Sequence, residues 1–228
     1  MVTPFFQAVV DMTDLSVKGF EVLARSRMFG LETSAAMFSA ASRLNMEVEL
    51  SQMLRWEGIR EALSLPEITR MYVNTHPLEL DRDDLVASIV ATREFAPDIP
   101  ITLEIHEAAV TNPVAMRELR KALQDISVEI AYDDFGAGQN RLTELIESPP
   151  DVLKFDMSLI RNIDRANPER QRMLKSLVRI VLDLGVIPLA EGVETPEESQ
   201  VCHEMGFQLA QGYFYGRPMT PRALYCTV

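Results

Sequence analysis

The sequence predicts an α/β fold, a (β/α)8 TIM-like barrel with an antiparallel first strand. Three observations predict it. From Met71 onward, short apolar runs of β-prone residues alternate with segments of helical periodicity, which means parallel strands joined by crossover helices. Ahead of that rhythm, two strand-like runs are joined by a short polar turn, so they form a hairpin and are antiparallel. With the hairpin counted there are eight strands, which favours a closed barrel; an open doubly wound sheet is the alternative. A length of 228 residues is normal for one α/β barrel, and no linker, repeat or low-complexity tract interrupts it. Residues 1–228 are therefore read as a single domain.

Thr3 to Met12, rich in Phe and Val, is the first strand, Asp11 to Ser16 the turn, and Lys18 to Arg25 the second strand. A helix follows from Thr33 to Leu44, with Thr33 or Ser34 as N-cap, and a longer one from Met46 to Leu63. In the longer one Met46, Leu50, Met53, Leu54 and Ile59 recur at helical spacing and read as a core stripe, with Trp56 on its flank. The alternation then runs strand Met71–Asn74, helix Asp83–Phe95, strand Ile101–Glu107, helix Pro113–Gln124, strand Val128–Asp133 and helix Asn140–Glu147. It continues with strand Val152–Asp156, helix Glu169–Leu184, strand Val186–Glu191, helix Pro196–Met205 and strand Gln208–Gly212. Pro113 and Pro196 stand where Pro begins a helix, and Gly185 where Gly ends one. Pro149-Pro150 is a loop between two such units.

A formal net charge of -12 argues against DNA or RNA polymers as partners, while an anionic substrate remains compatible if metal ions intervene. Cys202 and Cys226 have no metal-ligand spacing and read as reduced thiols of a cytoplasmic protein. Met1 to Val10 lacks the features of a signal peptide. The longest apolar run, Leu177 to Ala190, is broken by Arg179, Asp183 and Pro188, so no membrane contact by this domain itself is expected.

In such a barrel the active site lies at the C-terminal strand ends, and polar residues collect there. Asp133 and Asp134 end an apolar run. Adjacent carboxylates repel each other and lose solvation when buried, problems that magnesium or manganese would remove. The second strand carries Glu21 and Arg25, four apart and on one face; the third ends in Asn74; the fourth carries Glu104 and Glu107. The sixth carries Lys154 and Asp156, the seventh ends in Glu191 with Glu194 just beyond, and the eighth ends in Gln211. Each residue alone has a bland reading: an acidic turn at Asp133-Asp134, an ion pair of Glu21 with Arg25, a turn at Asn74, a Lys154–Asp156 pair, a helix start at Glu194. Together they supply at least five oxygen ligands with an amine beside them, which suits a two-metal hydrolytic site. The three histidines are scattered, and no Gly-x-Ser-x-Gly, dinucleotide fingerprint or P-loop is present. Tyr213-Phe214-Tyr215 reads as core.

The ordered blocks resemble the EAL-domain cyclic di-GMP phosphodiesterase family from Phe5 to Pro218. They are Glu21-Val22-Leu23 with Arg25; Asn74; Leu103-Glu104-Ile105-His106-Glu107; Asp133-Asp134-Phe135-Gly136-Ala137-Gly138; Leu153-Lys154-Phe155-Asp156; Glu191-Gly192-Val193-Glu194-Thr195; and Gln211-Gly212-Tyr213. The resemblance implies a barrel with an antiparallel first strand, two Mg²⁺ or Mn²⁺ ions, and hydrolysis of cyclic di-GMP to linear 5′-pGpG. It implies that Glu21, Asn74, Glu104 and Asp133 hold one ion. Asp133 then bridges to a second ion held by Asp134 with Glu191 nearby. Lys154 would orient or activate the attacking water, with Glu191 as a candidate base. Arg25 would meet a substrate phosphate and Gln7 would also face the substrate; Gln211 and Glu194 would complete the metal and water shell beside it. Glu107 would steady the loop after the Asp pair. A homodimer and a sensor or regulatory partner outside this chain are implied on the same ground. Four positions depart from the usual pattern: Gln7-Ala8 for Gln-Pro, Asn74-Thr75-His76 for Asn-x-Ser, His106 for Thr, and Gln139-Asn140-Arg141 for Tyr-Ser-Ser. The alternative to an enzyme is a catalytically inactive EAL-type receptor that binds cyclic di-GMP and signals. The presence of Glu21, Asn74, Glu104, Asp133, Asp134, Lys154, Glu191 and Gln211 favours the enzyme.

Overall fold

The opening turn and the strand propensity around it set the first step of the fold. β1 (Val2–Asp11) and β2 (Val17–Ser26) pair antiparallel, from Val2 opposite Ser26 to Val10 opposite Val17. In this computed structural model, which describes residues 2–65, 70–80, 84–138 and 142–225, six more strands follow. They are β3 (Met71–Thr75), β4 (Ile101–His106), β5 (Val128–Phe135), β6 (Val152–Phe155), β7 (Ile187–Ala190) and β8 (Leu209–Gln211). The strands lie in sequence order around a closed barrel, which decides between the barrel and the open sheet. Pairs from β2 to β8 are parallel, and β1 closes the ring antiparallel to both β2 and β8.

The connecting helices begin where local chemistry satisfies their free N–H groups. α1 (Ser34–Ser42) is capped by the Thr33 hydroxyl, which accepts from the Ala36 N–H. α2 (Glu47–Ala62) and α3 (Leu85–Phe95) precede α4 (Pro113–Gln124), which has Asn112 as cap and Pro at its first turn. α5 (Leu142–Glu147) leads to β6, and α6 (Met157–Ile160) follows β6 directly. α7 (Pro168–Asp183) stops just before Gly185, whose φ of 74° suits glycine. α8 (Pro196–Met205) starts in a capping box between Thr195 and Glu198, and α9 (Pro221–Tyr225) ends the described chain. α6 and α9 were not expected; at four and five residues they are too short to show an apolar period. The expected helix starts at Asp83 and Asn140, the Gln139-Asn140-Arg141 segment and Cys226 lie outside the described residues. Among the described residues no helix is long and apolar enough to cross a membrane.

Period-two alternation along the strands divides the barrel interior into two layers. Val9, Tyr72, Ala131, Val152, Leu189 and Leu209 form an apolar cluster of their own, separate from the larger core between strands and helices. Two residues further toward the C-terminal end of the parallel strands, the same faces carry Asn74, Asp133, Lys154, Glu191 and Gln211. On antiparallel β1 the step is reversed, from Val9 back to Gln7. The apolar layer is thus the floor on which the polar layer stands.

Two expectations of core packing are corrected: Tyr213 and Phe214, read as core, are exposed, and the α2 stripe turns a different face inward. Met46, Met53 and Trp56 of the α2 segment are exposed, and the face of α2 that packs inward is Val48, Ser51, Arg55, Gly58, Ile59 and Ala62. Small and polar residues take this face because the helix lies hard against β2: a Cβ at Gly58 would stand 2.3 Å from Cγ1 of Val22. The Arg55 guanidinium enters the core because fully buried Glu79 meets it at 2.7 Å. Arg55 also donates to the Asn74 carbonyl at 3.1 Å, and Glu79 accepts the His76 N–H at 3.0 Å.

Candidate active site

Each strand, or the residue just past it, sends one polar side chain to the same end of the barrel. Lys154 of β6 is at the centre and fully buried. Its Nζ lies 2.6 Å from Oε1 of Glu104, 2.9 Å from Oδ1 of Asp133, 2.9 Å from Oε1 of Glu191 and 3.8 Å from Oε2 of Glu21. Glu21 is held in turn by amides: Nδ2 of Asn74 donates to its Oε1 at 3.3 Å, and Nε2 of Gln211 to its Oε2 at 2.6 Å. Gln211 also donates to Oε1 of Gln7 at 3.2 Å, and Gln7 donates to the Gly216 carbonyl at 3.1 Å. Gln7, Glu21, Asn74, Glu104, Asp133, Lys154, Glu191 and Gln211 are thereby brought together.

Adjacent strand residues face opposite sides, yet Asp133 and Asp134 both serve this end. A bulge makes that possible. Between Tyr132 opposite Leu153 and Phe135 opposite Phe155, β5 holds one residue more than β6, and Asp134 takes a φ of 60°. Asp133, Asp134 and Glu191 then each offer an oxygen, all within 4.8 Å of one another. The turn after the bulge is fixed by Glu107, whose Oε2 accepts the Gly136 N–H at 3.2 Å. Gly136 has a φ of 99°, and a Cβ there would stand 2.3 Å from Cδ1 of Leu159, so only glycine fits without a shift. Glu107 itself belongs to a 3-10 turn just past β4, not to the strand.

Charge governs the site. Burial pushes the Glu104 and Glu191 carboxyls well above the usual carboxylate range, against the pull of the Lys154 ammonium; Glu21 and Asp133 add to the rise. Burial opposes the charge on Lys154 too, but Asp133, Glu104, Glu191 and Glu21 outweigh it and hold the amine well above its ordinary value. Asp134, half-buried, is raised first by burial and then by Asp133. Oε2 of Glu104 is buried without a hydrogen-bond partner. Clustered carboxylate oxygens, one of them orphaned, beside an amide oxygen are a donor set that fits a hard divalent cation.

Two expected site residues stand apart. Arg25 lies on the same face of β2 as Glu21, but its guanidinium donates to the Ala24 carbonyl at 3.0 Å, and it does not line the cavity described below. Glu194 is ion-paired with Arg161, which stands at the end of α6. Asp156 is the N-cap of α6, accepting from the Ser158 N–H at 2.9 Å, and makes no ion pair with Lys154. Other residues at this end were missed. Buried Glu198 accepts the Glu194, Thr195 and Asn162 N–H groups and so fixes the segment after Glu191; the Thr195-x-x-Glu198 spacing was its signal. His106 meets Asp134, Nε2 to Oδ2, at 3.2 Å; lying two residues past Glu104, it shares the face of that carboxylate.

A cavity of about 370 Å³ opens at this end, lined by Glu21, Asn74, His106, Asp133 and Asp134 together with Phe38, His76 and Pro77. The Phe38 and His76 rings stack at 5.0 Å.

Comparison with known proteins places this geometry in context. The sequence model of one family, described as EAL domain, matches residues 1–218. The "Probable cyclic di-GMP phosphodiesterase PdeN" of Escherichia coli K12 is 32% identical over 222 residues, covering 94% of this chain and 43% of that protein. The "Cyclic di-GMP phosphodiesterase RocR" of Pseudomonas aeruginosa is 28% identical over 98% of this chain and 59% of its own length. The chain thus spans well under two thirds of these curated relatives. Klebsiella pneumoniae BlrP1, solved as a calcium and cyclic di-GMP complex, is 30% identical with a TM-score of 0.86, over 96% of this chain and 56% of that one.

Proposed function

The chain belongs to the EAL domain family, and from that premise we propose that it hydrolyses cyclic di-GMP to linear 5′-pGpG with two divalent cations, Mg²⁺ or Mn²⁺. The observation that carries the reading is Lys154, buried within 2.6 to 2.9 Å of three carboxylates and 3.8 Å from a fourth. Charge balance supports two ions. Glu21, Glu104, Asp133, Asp134 and Glu191 bring five negative charges when ionised, Lys154 returns one, and two divalent cations match the remaining four. Manganese and calcium both occur with cyclic di-GMP in BlrP1 structures.

In this reading Glu21, Asn74, Glu104 and Asp133 would hold one cation, and Asp134 with Glu191 and Asp133 would hold the other. When bound, the cations neutralise the phosphodiester and lower the pKa of a water. Lys154, kept protonated by its carboxylates, donates to the attacking water and fixes its line of approach to phosphorus. Glu191, 2.9 Å from Nζ of Lys154, is the candidate base that accepts the water's proton. The bond from phosphorus to the 3′ oxygen breaks as the bond to the water oxygen forms, and the 3′ oxygen leaves as a hydroxyl, taking a proton from solvent. Gln7 and Gln211 would order substrate and water here, whereas Arg25 would have to leave the Ala24 carbonyl to meet a substrate phosphate and Glu194 to leave Arg161 to join the water shell. Glu107 keeps the loop after Asp134 in register.

The test is incubation with cyclic di-GMP and Mn²⁺, reading pGpG by chromatography, with Glu21→Ala and Lys154→Ala as controls. Product from the wild type and none from the controls supports the reading; tight binding without product sinks it in favour of a receptor. The family premise also proposes a homodimer, a regulatory segment or partner outside these residues, and a cytoplasmic location. Running the assay across protein concentration tests the first: specific activity that is flat down to nanomolar protein argues against dimer control.

A further inference from the structure

We infer that Arg55 and Glu79 are positioning residues: their buried pair clamps the backbone around Thr75 and so aims the Asn74 amide at the cation site beside Glu21. The inference rests on the reading that Asn74 and Glu21 hold a divalent cation. Pairing of β2 with β3 reaches Tyr72 and, among the described residues, goes no further. The end of β3 is held by β4, where Asn74 stands opposite Glu104 and Thr75 opposite Ile105. Toward β2 it needs another support, although the Asn74 side chain has to meet Glu21 of that strand.

Arg55 and Glu79 supply that support. The Arg55 guanidinium donates to the Asn74 carbonyl at 3.1 Å, and Glu79 accepts the His76 N–H at 3.0 Å. Two successive peptide planes, one on each side of Thr75, are thereby gripped, which sets the direction in which the Asn74 side chain leaves the strand. The clamp is itself anchored: Arg55 comes from α2, meets Glu79 at 2.7 Å and donates to Ser88 of α3 at 3.2 Å. A planar fork can serve a carboxylate, a hydroxyl and a carbonyl together, which the point charge of Lys cannot. Stability alone does not call for such a pair, because burying both charges costs hydration that apolar residues of similar volume would not lose. An apolar pair would still leave the His76 N–H its second acceptor, Oγ of Ser51 at 3.1 Å, but would strip the Asn74 carbonyl of the donor that Arg55 provides. Positioning of Asn74 is therefore separable from stability.

The experiment is calorimetric titration of the metal-free chain with Mn²⁺. It compares the wild type, the double variant Arg55→Met with Glu79→Leu, Asn74→Ala, and the triple variant that combines them, each checked for folding by circular dichroism. Loss of a group that orients a ligand typically weakens metal affinity on the order of 10-fold. Expected is a loss of that order in the double variant even where its urea midpoint matches the wild type. Asn74→Ala should lose at least as much, and the triple variant no more than Asn74→Ala, because the clamp acts through that side chain. Arg55→Lys, which keeps a charge beside Glu79 without the fork, should weaken Mn²⁺ binding as well and serves if the double variant does not fold. Wild-type Mn²⁺ affinity in the folded double variant or in Arg55→Lys, or losses that add in the triple variant, overturns the inference. Unchanged affinity in Asn74→Ala overturns it too, while leaving the catalytic reading standing if pGpG still forms. A wild type that binds no divalent cation overturns both. Normal binding with no hydrolysis overturns the catalytic reading alone.

Discussion

Lys154 and the carboxylates around it form a system that is complete only with cations present. In their absence the ammonium is the one positive charge among Glu21, Glu104, Asp133 and Glu191. Removing one partner of a buried ionic cluster costs about 3–5 kcal/mol. Lys154→Met should therefore lose that order of stability in chelator, regain a large part of it in Mn²⁺, and show no turnover. Urea unfolding with and without metal checks this; equal destabilisation in both conditions would contradict it. The carboxyls give a second expectation. Glu104 and Glu191 have folded-state pKa values above their unfolded ones, so the folded state binds more protons than the unfolded state. Their contribution is favourable below the ordinary carboxylate range, about pH 4.3, and is lost as pH rises through the raised values. A cation must displace those protons at low pH and meets bare carboxylates at high pH. The Tm increase given by Mn²⁺ should accordingly grow between about pH 5 and 8. A shift that is constant or shrinks across that range, read by scanning fluorimetry, would count against metal binding at these groups.

At the scale of elements, the buried Arg55–Glu79 pair ties α2 to the end of β3. Arg55 donates both to Glu79 and to the backbone oxygen of Asn74, whose side chain reaches Glu21. Arg55→Met leaves Glu79 buried and unpaired, so a loss of about 3–5 kcal/mol in urea unfolding is expected. The double variant Arg55→Met with Glu79→Leu should recover most of it, because no charge is then stranded; equal loss in both would show that packing and not pairing is at stake. This pair also marks what the sequence could show. Strands and helices with strong caps were legible: Pro113–Gln124 and Pro196–Met205 stand at their expected limits because Asn112 and Thr195 cap them and proline follows each cap. The inward face of α2 was not. Its apolar stripe suggested Met46 and Met53, but which face turns inward depends on the approach to Val22 and on a charge partner 24 residues away. The same limit applies to the β5 bulge. Period-two logic puts one Asp of the pair inside; an extra residue against β6, a property of two strands together, brings in both.

Over the whole molecule the legible quantity was one polar side chain per strand end. That alternation survives folding up to the β5 bulge, as the apolar floor under Gln7, Asn74, Asp133, Lys154, Glu191 and Gln211 shows. What the alternation could not reveal is how far along a strand a side chain still faces the cavity, and so Arg25 lies beyond it. Closure of the ring has a further consequence. With β1 bonded to both β2 and β8, neither end of the sheet is free to peel away, and opening the barrel breaks many contacts at once. Cys202 reports on that cooperativity. It lies on α8 with no exposed surface, packed into the core between helices and barrel, and burial, aided by Glu198, pushes its thiol up to about 12. Only the thiolate reacts with alkylating reagents, and at pH 8 that form is scarce and shielded. Cys202 should therefore stay unmodified by iodoacetamide in the native protein and become modified with the same urea midpoint as the loss of circular dichroism. Peptide mass mapping separates it from Cys226. Modification of Cys202 at urea concentrations well below that midpoint would mean that α8 opens locally, and that the barrel does not unfold as one unit.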